Sequence, residues 1–152
     1  MEMRSAYSGR NRFMITKLTI DEVEYISFTL AKELMGWKEP IPDFHTRFPN
    51  ILESSLRVPF QTFDGKNLYK GLIDKAAILF YLMIKNHPFK NGNKRIAMTT
   101  LFVFLYVNGK WLKVDNRELY TFAVWVAESN AMFQEGVVTS IRKFLTTYLV
   151  ER

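Results

Sequence analysis

The chain contains no cysteine and no long hydrophobic run. Without cysteine there is no disulfide framework and no thiolate metal site, and we expect a protein of the reducing cytoplasm. Apolar runs such as Leu101–Val107 fall far short of the ~20 residues that a membrane-spanning helix needs. The N-terminus is polar and basic and lacks the apolar core of a secretory signal. We therefore expect a protein that is neither exported nor inserted in a membrane.

Acidic residues are outnumbered, with 15 Asp and Glu against 21 Lys and Arg and a net charge of +6. Such a balance raises the question of nucleic-acid binding. The basic residues, however, are scattered among the N-terminal, central and C-terminal regions, and they form no stripe with interleaved aromatics. The sequence therefore favours a basic surface with a phosphate pocket, and we rank a nucleic-acid partner last.

The length of 152 residues is typical of one domain. A composition of 48% hydrophobic and 24% charged residues is that of an ordinary globular protein. Residues Met1–Phe13 carry Ser, Gly, Asn and Arg without periodicity. We therefore predict a flexible tail over residues 1–13 and a single domain over residues 14–152, with Met14 as an alternative natural start.

Hydrophobic spacing predicts about six helices. The first begins with a capping box, in which Thr19 is the N-cap and Glu22 follows three residues later, and it ends near Gly36. The other five are Ile51–Leu56 with Asn50 as its cap, Gly71–Asn86, Asn93–Asn108, a helix that Asp115 or Asn116 opens, and Val137–Leu149 after a break at Gly136. A short extended piece, Trp111–Val114, follows the fourth helix. Because Asn93–Asn108 is apolar on nearly every side, we predict that it is the central buried helix of an all-α fold.

One stretch, Val58–Leu68, interrupts the helical pattern. It has β-branched and aromatic residues before an Asp64-Gly65 turn, which predicts a β-hairpin. Pro59 is compatible with an edge strand. An ordered surface loop is the alternative interpretation.

A polar loop, His87–Arg95, joins the third and fourth predicted helices. The backbone N–H groups at the start of a helix carry the positive end of its dipole, and Gly92 lets the chain pass close to a ligand. Lys94 and Arg95 add two positive charges, an unfavourable placement at a helix N-terminus unless an anion binds there. The sequence therefore predicts an anion site at this loop.

His87 stands at the beginning of the same loop and can take up a proton near neutral pH. An isolated histidine at a helix end is usually structural or solvent-facing, but proximity to an anion site favours a catalytic role. The second histidine, His45, has no partner at metal-ligand spacing, and we interpret it as incidental.

The loop reads His-Pro-Phe-Lys-Asn-Gly-Asn-Lys-Arg, which resembles the signature of the Fic/Doc family. The Asn-Lys-Arg ending resembles the Doc (death-on-curing) branch. The similarity continues on both sides of the loop, at Tyr69, Lys75, Ala76, Ala77, Phe104, Leu105, Asn108 and Gly109. The resemblance implies the helical Fic/Doc fold with a β-hairpin flap that aligns a target segment by strand addition. The matching flap residues are Val58, Phe60, Thr62, Phe63, Asp64 and Gly65.

The resemblance also implies a role for each residue of the loop. His87 is the general base on a hydroxyl of a target protein, and Phe89 anchors the loop to the core. ATP is bound through its phosphates, with Mg²⁺ at Asn91. The implied nucleotide- and phosphate-binding residues are Lys90, Asn91, Gly92, Asn93, Lys94 and Arg95. Two roles are open to the Asn93 side chain, which either bonds a phosphate oxygen or holds the shape of the loop.

One position departs from the family as a whole, and two depart from its Fic branch. Asn91 replaces the usual Asp or Glu, and a neutral amide oxygen lacks the charge that makes Mg²⁺ binding strong. Lys94 replaces a second glycine and Met98 replaces a second arginine, and within the family these changes accompany phosphate transfer rather than AMP transfer. The alternatives are Fic-type adenylylation and a binding protein that has lost the chemistry because of Asn91.

The sequence has no good Ser/Thr-x-x-x-Glu-Gly/Asn self-inhibition motif, since Thr29–Glu33 has the first spacing but is followed by Leu34. The resemblance therefore implies a Doc-like toxin of a toxin–antitoxin pair that a separate, Phd-like antitoxin restrains. It also implies that the target protein is a translation elongation factor.

Overall fold

The computed structural model describes residues 14–34 and 40–152. The first helix in this part of the chain consists of three consecutive segments, α1 (Ile20–Glu22), a π-helical segment (Val23–Ser27) and α2 (Phe28–Leu34). Five more helices follow: α3 (Pro49–Arg57), α4 (Leu72–Lys85), α5 (Asn93–Val107), α6 (Asn116–Glu128) and α7 (Gln134–Tyr148). The predicted all-α fold is confirmed. The predicted tail, residues 1–13, and the predicted helix end near Gly36 lie outside the described residues.

Two small antiparallel sheets accompany the helices in the described ranges. Strands β1 (Thr62–Phe63) and β2 (Lys66–Asn67) form the hairpin, and β3 (Lys110–Leu112) pairs with β4 (Leu149–Glu151). The second pairing joins the segment after α5 to the segment after α7. Of this sheet, the sequence indicated β3 as a short extended piece and missed β4. None of the helices in the described part of the chain combines the length and apolar character needed to cross a membrane.

The central helix is α5, as predicted. All of its residues are buried except Lys94 and Tyr106. It contacts α2, α4, α6 and β3, so other elements cover most of its surface. A helix packed in this way holds its N-terminus, and the loop that precedes it, in a defined place.

The capping box at the first helix is confirmed. The Glu22 N–H donates to Thr19 Oγ1 (3.2 Å), and the Thr19 N–H donates to Glu22 Oε1 (2.9 Å). Each side chain thereby accepts from a backbone N–H group that has no carbonyl partner within the helix. The predicted opening of α6 is also confirmed, because the Asp115 carboxylate accepts from the Arg117 N–H (2.7 Å).

Two predicted helix boundaries were wrong. Asn50 lies inside α3, which begins at Pro49 without a side-chain cap, since the fixed φ of proline suits the first helical position. Gly136 lies inside α7 rather than before it. α7 begins at Gln134, directly after a 3-10 turn (Ala131–Phe133) whose N-cap is Asn130, and the Asn130 side chain accepts from the Met132 N–H (2.8 Å). A glycine near a helix start is a weaker signal than an Asn that caps a turn.

Candidate functional site

His87 follows the C-terminal end of α4, where Asn86 is the C-cap. Its backbone has a φ of +48°, in the left-handed region, which is a common way to end a helix and is adopted most readily by glycine. The His87 side chain is exposed. The backbone thus turns sharply at this residue and leaves the imidazole open to a substrate.

The loop after His87 is anchored to the core by an aromatic cluster. Phe89 is only 1% exposed, and its ring centroid lies 5.3 Å from that of Phe28 and 6.0 Å from that of Phe44. The Pro88 carbonyl accepts from the Phe48 N–H (2.8 Å), which ties the loop to the start of α3. Phe89 therefore occupies the anchoring position that the resemblance implies.

The side chain of Asn93 is used within the loop itself. The Phe89 N–H donates to Asn93 Oδ1 (2.9 Å), and Asn93 Nδ2 donates to the Phe89 carbonyl (2.8 Å). This closed pair of hydrogen bonds fixes the turn of three residues between Phe89 and the start of the helix at Asn93. Of the two roles left open by the sequence, the structure uses the amide to hold the loop shape.

Gly92 is the residue before α5 and has a φ of +71°, which favours glycine. A Cβ atom at this position would lie 2.7 Å from Ile41 Cδ1 and 3.6 Å from the Pro40 carbonyl oxygen. The space beside Gly92 is therefore filled by Ile41. Glycine is thus required here by the fold itself, and the close approach of a ligand to the backbone of Gly92 stays a prediction.

Positive charge collects at the start of α5. Lys90 is exposed, Lys94 is half-buried and Arg95 is 3% exposed in the first helical turn. That turn contains no acidic residue. The first intrahelical hydrogen bond after Gly92 runs from the Ile96 N–H to the Gly92 carbonyl (2.9 Å), so the preceding amides point out of the helix end. An anion placed there meets the positive end of the helix dipole.

The loop offers little to a metal ion. Asn91 is exposed and supplies a neutral amide oxygen. Among residues 14–34 and 40–152, no cluster of three or more His, Asp or Glu side chains is arranged to hold a metal. The other histidine, His45, faces Glu24, with 3.8 Å between Nε2 and Oε2. Hard-cation binding at Asn91 therefore requires further oxygen ligands from a bound molecule.

The predicted hairpin is present but shorter than Val58–Leu68. Thr62 pairs with Asn67 and Phe63 pairs with Lys66. Asp64 and Gly65, with φ values of +54° and +76°, form the turn that the sequence indicated. All residues from 61 to 68 are exposed, and Phe63 is 74% exposed.

Two residues assigned to the flap lie elsewhere. Val58 and Phe60 belong to a 3-10 turn that continues α3, and both side chains are partly buried against the core. The Phe60 ring packs edge-on against that of Phe104, with centroids 6.2 Å apart. Pro59 at the second position of the turn favours this compact conformation over a strand.

Lys75 of α4 is a charged residue whose burial the sequence analysis did not predict. Its side chain is only 4% exposed. Its Nζ donates to the carbonyl of Pro59 (3.3 Å) and to the carbonyl of Tyr69. Burial lowers the pKa of the Lys75 ammonium, and the neighbouring Asp74 carboxylate offsets part of this effect. The available signal was its spacing, since Lys75 lies three residues after Leu72 on the apolar side of the helix.

Comparison with known proteins gives one family and one relative. The model of the Fic/DOC family matches residues 17–105, which include the whole loop and most of α5. Over 65 residues, or 43% of this chain, the sequence is 37% identical to a protein of Mycolicibacterium smegmatis named Toxin Doc. The match spans 50% of the length of that relative. No solved structure gives a significant match.

Proposed function

Because this chain belongs to the Fic/DOC family, we propose that it binds ATP at the loop His87–Arg95 and transfers a phosphate to a hydroxyl of a target protein. One observation carries the proposal. An exposed imidazole stands at one end of a rigid loop, and the N-terminus of a buried helix with two cationic side chains stands at the other. A proton acceptor beside an anion site is the arrangement that phosphoryl transfer to a hydroxyl requires.

In the proposed reaction, the target hydroxyl oxygen attacks the γ-phosphorus of ATP. His87 accepts the hydroxyl proton as the new oxygen–phosphorus bond forms. The bond between the γ-phosphorus and the bridging oxygen breaks, and ADP leaves. Lys94, Arg95 and the helix dipole stabilise the negative charge on the phosphate oxygens, with Lys90 at the exposed edge.

Transfer of phosphate is favoured over transfer of AMP by two residues of α5. Lys94 places a long cationic side chain at the position where the Fic branch has glycine. Met98 is fully buried in the core, so a second arginine is replaced by an apolar packing residue. The Doc branch proposed from these positions agrees with the name of the relative.

A magnesium ion fits this site as a companion of the nucleotide. The Asn91 amide oxygen would supply one ligand, and the phosphates would supply the others. When bound, the metal neutralises phosphate charge during the transfer. The Asn91 amide is neutral and lacks the charge that makes Mg²⁺ binding strong. This favours a second candidate function, in which the chain binds nucleotide or a partner without transferring a group.

In the cell, we propose the role that the relative's name states for that protein, a toxin. The resemblance of the loop suggests a translation elongation factor as the target and the cytoplasm as the place of action. The sequence has no good self-inhibition motif, so restraint would come from a separate antitoxin of the Phd type.

The test is incubation of the purified protein with bacterial lysate, Mg²⁺ and ATP labelled at either the γ or the α position. We expect γ label on one lysate protein, its loss in His87→Ala, and no change in His45→Ala, which removes the other histidine. Label from the α position would replace phosphate transfer by adenylylation. ATP binding without any transfer would support the binding function instead.

A further inference from the structure

The flap of residues 61–68 has little to hold it except its two ends. Each strand contains two residues, and every residue of the flap is exposed. One backbone bond closes its base, from the Leu68 N–H to the Gln61 carbonyl (3.1 Å). An isolated hairpin of this size is marginal in water, so its direction depends on what fixes the residues on either side.

Lys75 contacts both of those sides. Its Nζ bonds the carbonyl of Pro59, which precedes the flap, and the carbonyl of Tyr69, which follows it. The same ammonium lies 5.1 Å from the centroid of the Phe60 ring. One side chain of α4 thus joins the entry and the exit of the flap.

The chemistry of this contact requires a cation with several donors. A lysine ammonium has three N–H groups, and here two carbonyl dipoles and one aromatic face surround it. Burying a charge is unfavourable, so packing alone would select an apolar residue at this position. A buried lysine is explained when the two carbonyls must be kept together.

We infer that Lys75 is a positioning residue that sets the direction of the flap relative to His87. This inference rests on the proposed function, in which the flap presents the target segment. Lys75 lies near the start of α4 and His87 lies two residues beyond its end at Lys85. The helical rise from Lys75 to Lys85 alone is about 15 Å. At such a distance, a small rotation of the flap at its base displaces the docked hydroxyl by several ångström. That displacement is enough to lose the alignment of the hydroxyl with the phosphate.

The first test measures the flap without any activity. Backbone ¹⁵N order parameters of residues 61–68 are compared in the wild type, Lys75→Met and Lys85→Met. Lys85 is a matched control, since it lies on the same helix and its Nζ also bridges two carbonyls, those of Ala127 and Ser129. We expect values of about 0.85 to fall below about 0.6 in Lys75→Met alone. Unchanged values in Lys75→Met, with the fold retained, would overturn the inference.

The second test uses the labelling reaction with a dilution series of the lysate. In Lys75→Met we expect the half-saturating lysate concentration to rise about tenfold, which corresponds to about 1.4 kcal/mol, while the KM for ATP stays unchanged. A mobile flap with an unchanged lysate dependence would show that Lys75 does not position the target. If the wild type transfers no label, the proposed function fails, and the order parameters still decide whether Lys75 holds the flap.

Discussion

At the scale of single residues, the backbone of His87 is the most informative feature. Two described residues other than glycine have a positive φ, Asp64 in the hairpin turn and His87 at the end of α4. Aspartate and histidine both occur in this region more often than most residues, but each still carries a Cβ penalty that glycine lacks. Strain kept at an exposed residue beside the proposed anion site agrees with a functional role, because stability alone would favour glycine there.

The first prediction concerns this strain. Replacing His87 with Gly should raise the free energy of unfolding by up to about 1 kcal/mol, because glycine adopts a φ of +48° without a Cβ penalty. The same change should abolish transfer of label. Urea denaturation measures the first effect and the labelling reaction measures the second.

The neighbouring residue supplies the control. Asn86 has a φ of −90°, so Asn86→Gly should lower the free energy of unfolding by about 0.5–1 kcal/mol. Loss of stability in His87→Gly would mean that the imidazole makes a contribution that outweighs its backbone strain.

At the scale of elements, the site is a loop held rigid by three different contacts. Phe89 anchors it in the core, the Asn93 amide closes it, and Gly92 meets the segment that contains Ile41. These contacts come from different parts of the chain and converge on one turn. The start of α5, where we propose that the phosphates bind, is therefore held in one conformation before any ligand binds.

The second prediction compares two glycines. Gly92→Ala should lower the free energy of unfolding by about 1–2 kcal/mol, because its φ of +71° disfavours a side chain. The clash with Ile41 Cδ1 adds little, since that methyl group is the end of a flexible side chain. The same variant should weaken ATP binding, measured by calorimetry, because the loop must shift.

Gly136→Ala is the matched control for this comparison. Gly136 lies in α7, and a Cβ there would meet nothing within 4 Å. Alanine should raise the free energy of unfolding by up to about 1 kcal/mol and leave ATP binding unchanged. Similar losses in both variants would contradict the assignment of Gly92 as a conformationally required residue.

At the scale of the whole molecule, the buried lysine links stability to pH. Burial lowers the pKa of Lys75 from 10.5. Between the lowered value and 10.5 the unfolded chain binds more protons, so the free energy of unfolding should rise with pH in that window. Burial raises the pKa of Tyr81, and a hydrogen bond with Glu118 raises that of Tyr148. These two groups therefore make the free energy of unfolding fall as pH rises.

The third prediction isolates the contribution of Lys75 to the pH dependence of stability by comparing the wild type with Lys75→Met. Urea denaturation of the wild type and of Lys75→Met is measured in steps from neutral pH to 10.5. Lys75→Met removes a buried charge, which favours folding, but it also leaves the carbonyls of Pro59 and Tyr69 without their donor. The prediction therefore concerns the pH dependence, and the free energy of unfolding of the wild type relative to the variant should rise with pH as the wild-type ammonium loses its proton. A constant difference across the series would mean that Lys75 titrates normally.

The sequence by itself determined the features that local patterns encode. Apolar residues on nearly every side of α5 predicted that it is the central helix. Thr19 and Asp115 predicted helix starts that the structure confirms. The order of residues in His87–Arg95 was sufficient to indicate an anion site and a family. These properties depend on residues that are close together in the chain, so periodicity and capping chemistry report them directly.

The tertiary structure alone decided the contacts between distant segments. It buried Lys75 beneath the flap, placed Ile41 against Gly92 and paired β3 with β4. Each of these contacts depends on which elements pack together in three dimensions. The hydrophobic pattern of a helix does not specify which elements it packs against. The residues that shape the loop and aim the flap were therefore visible only in the folded chain, where segments far apart in sequence meet.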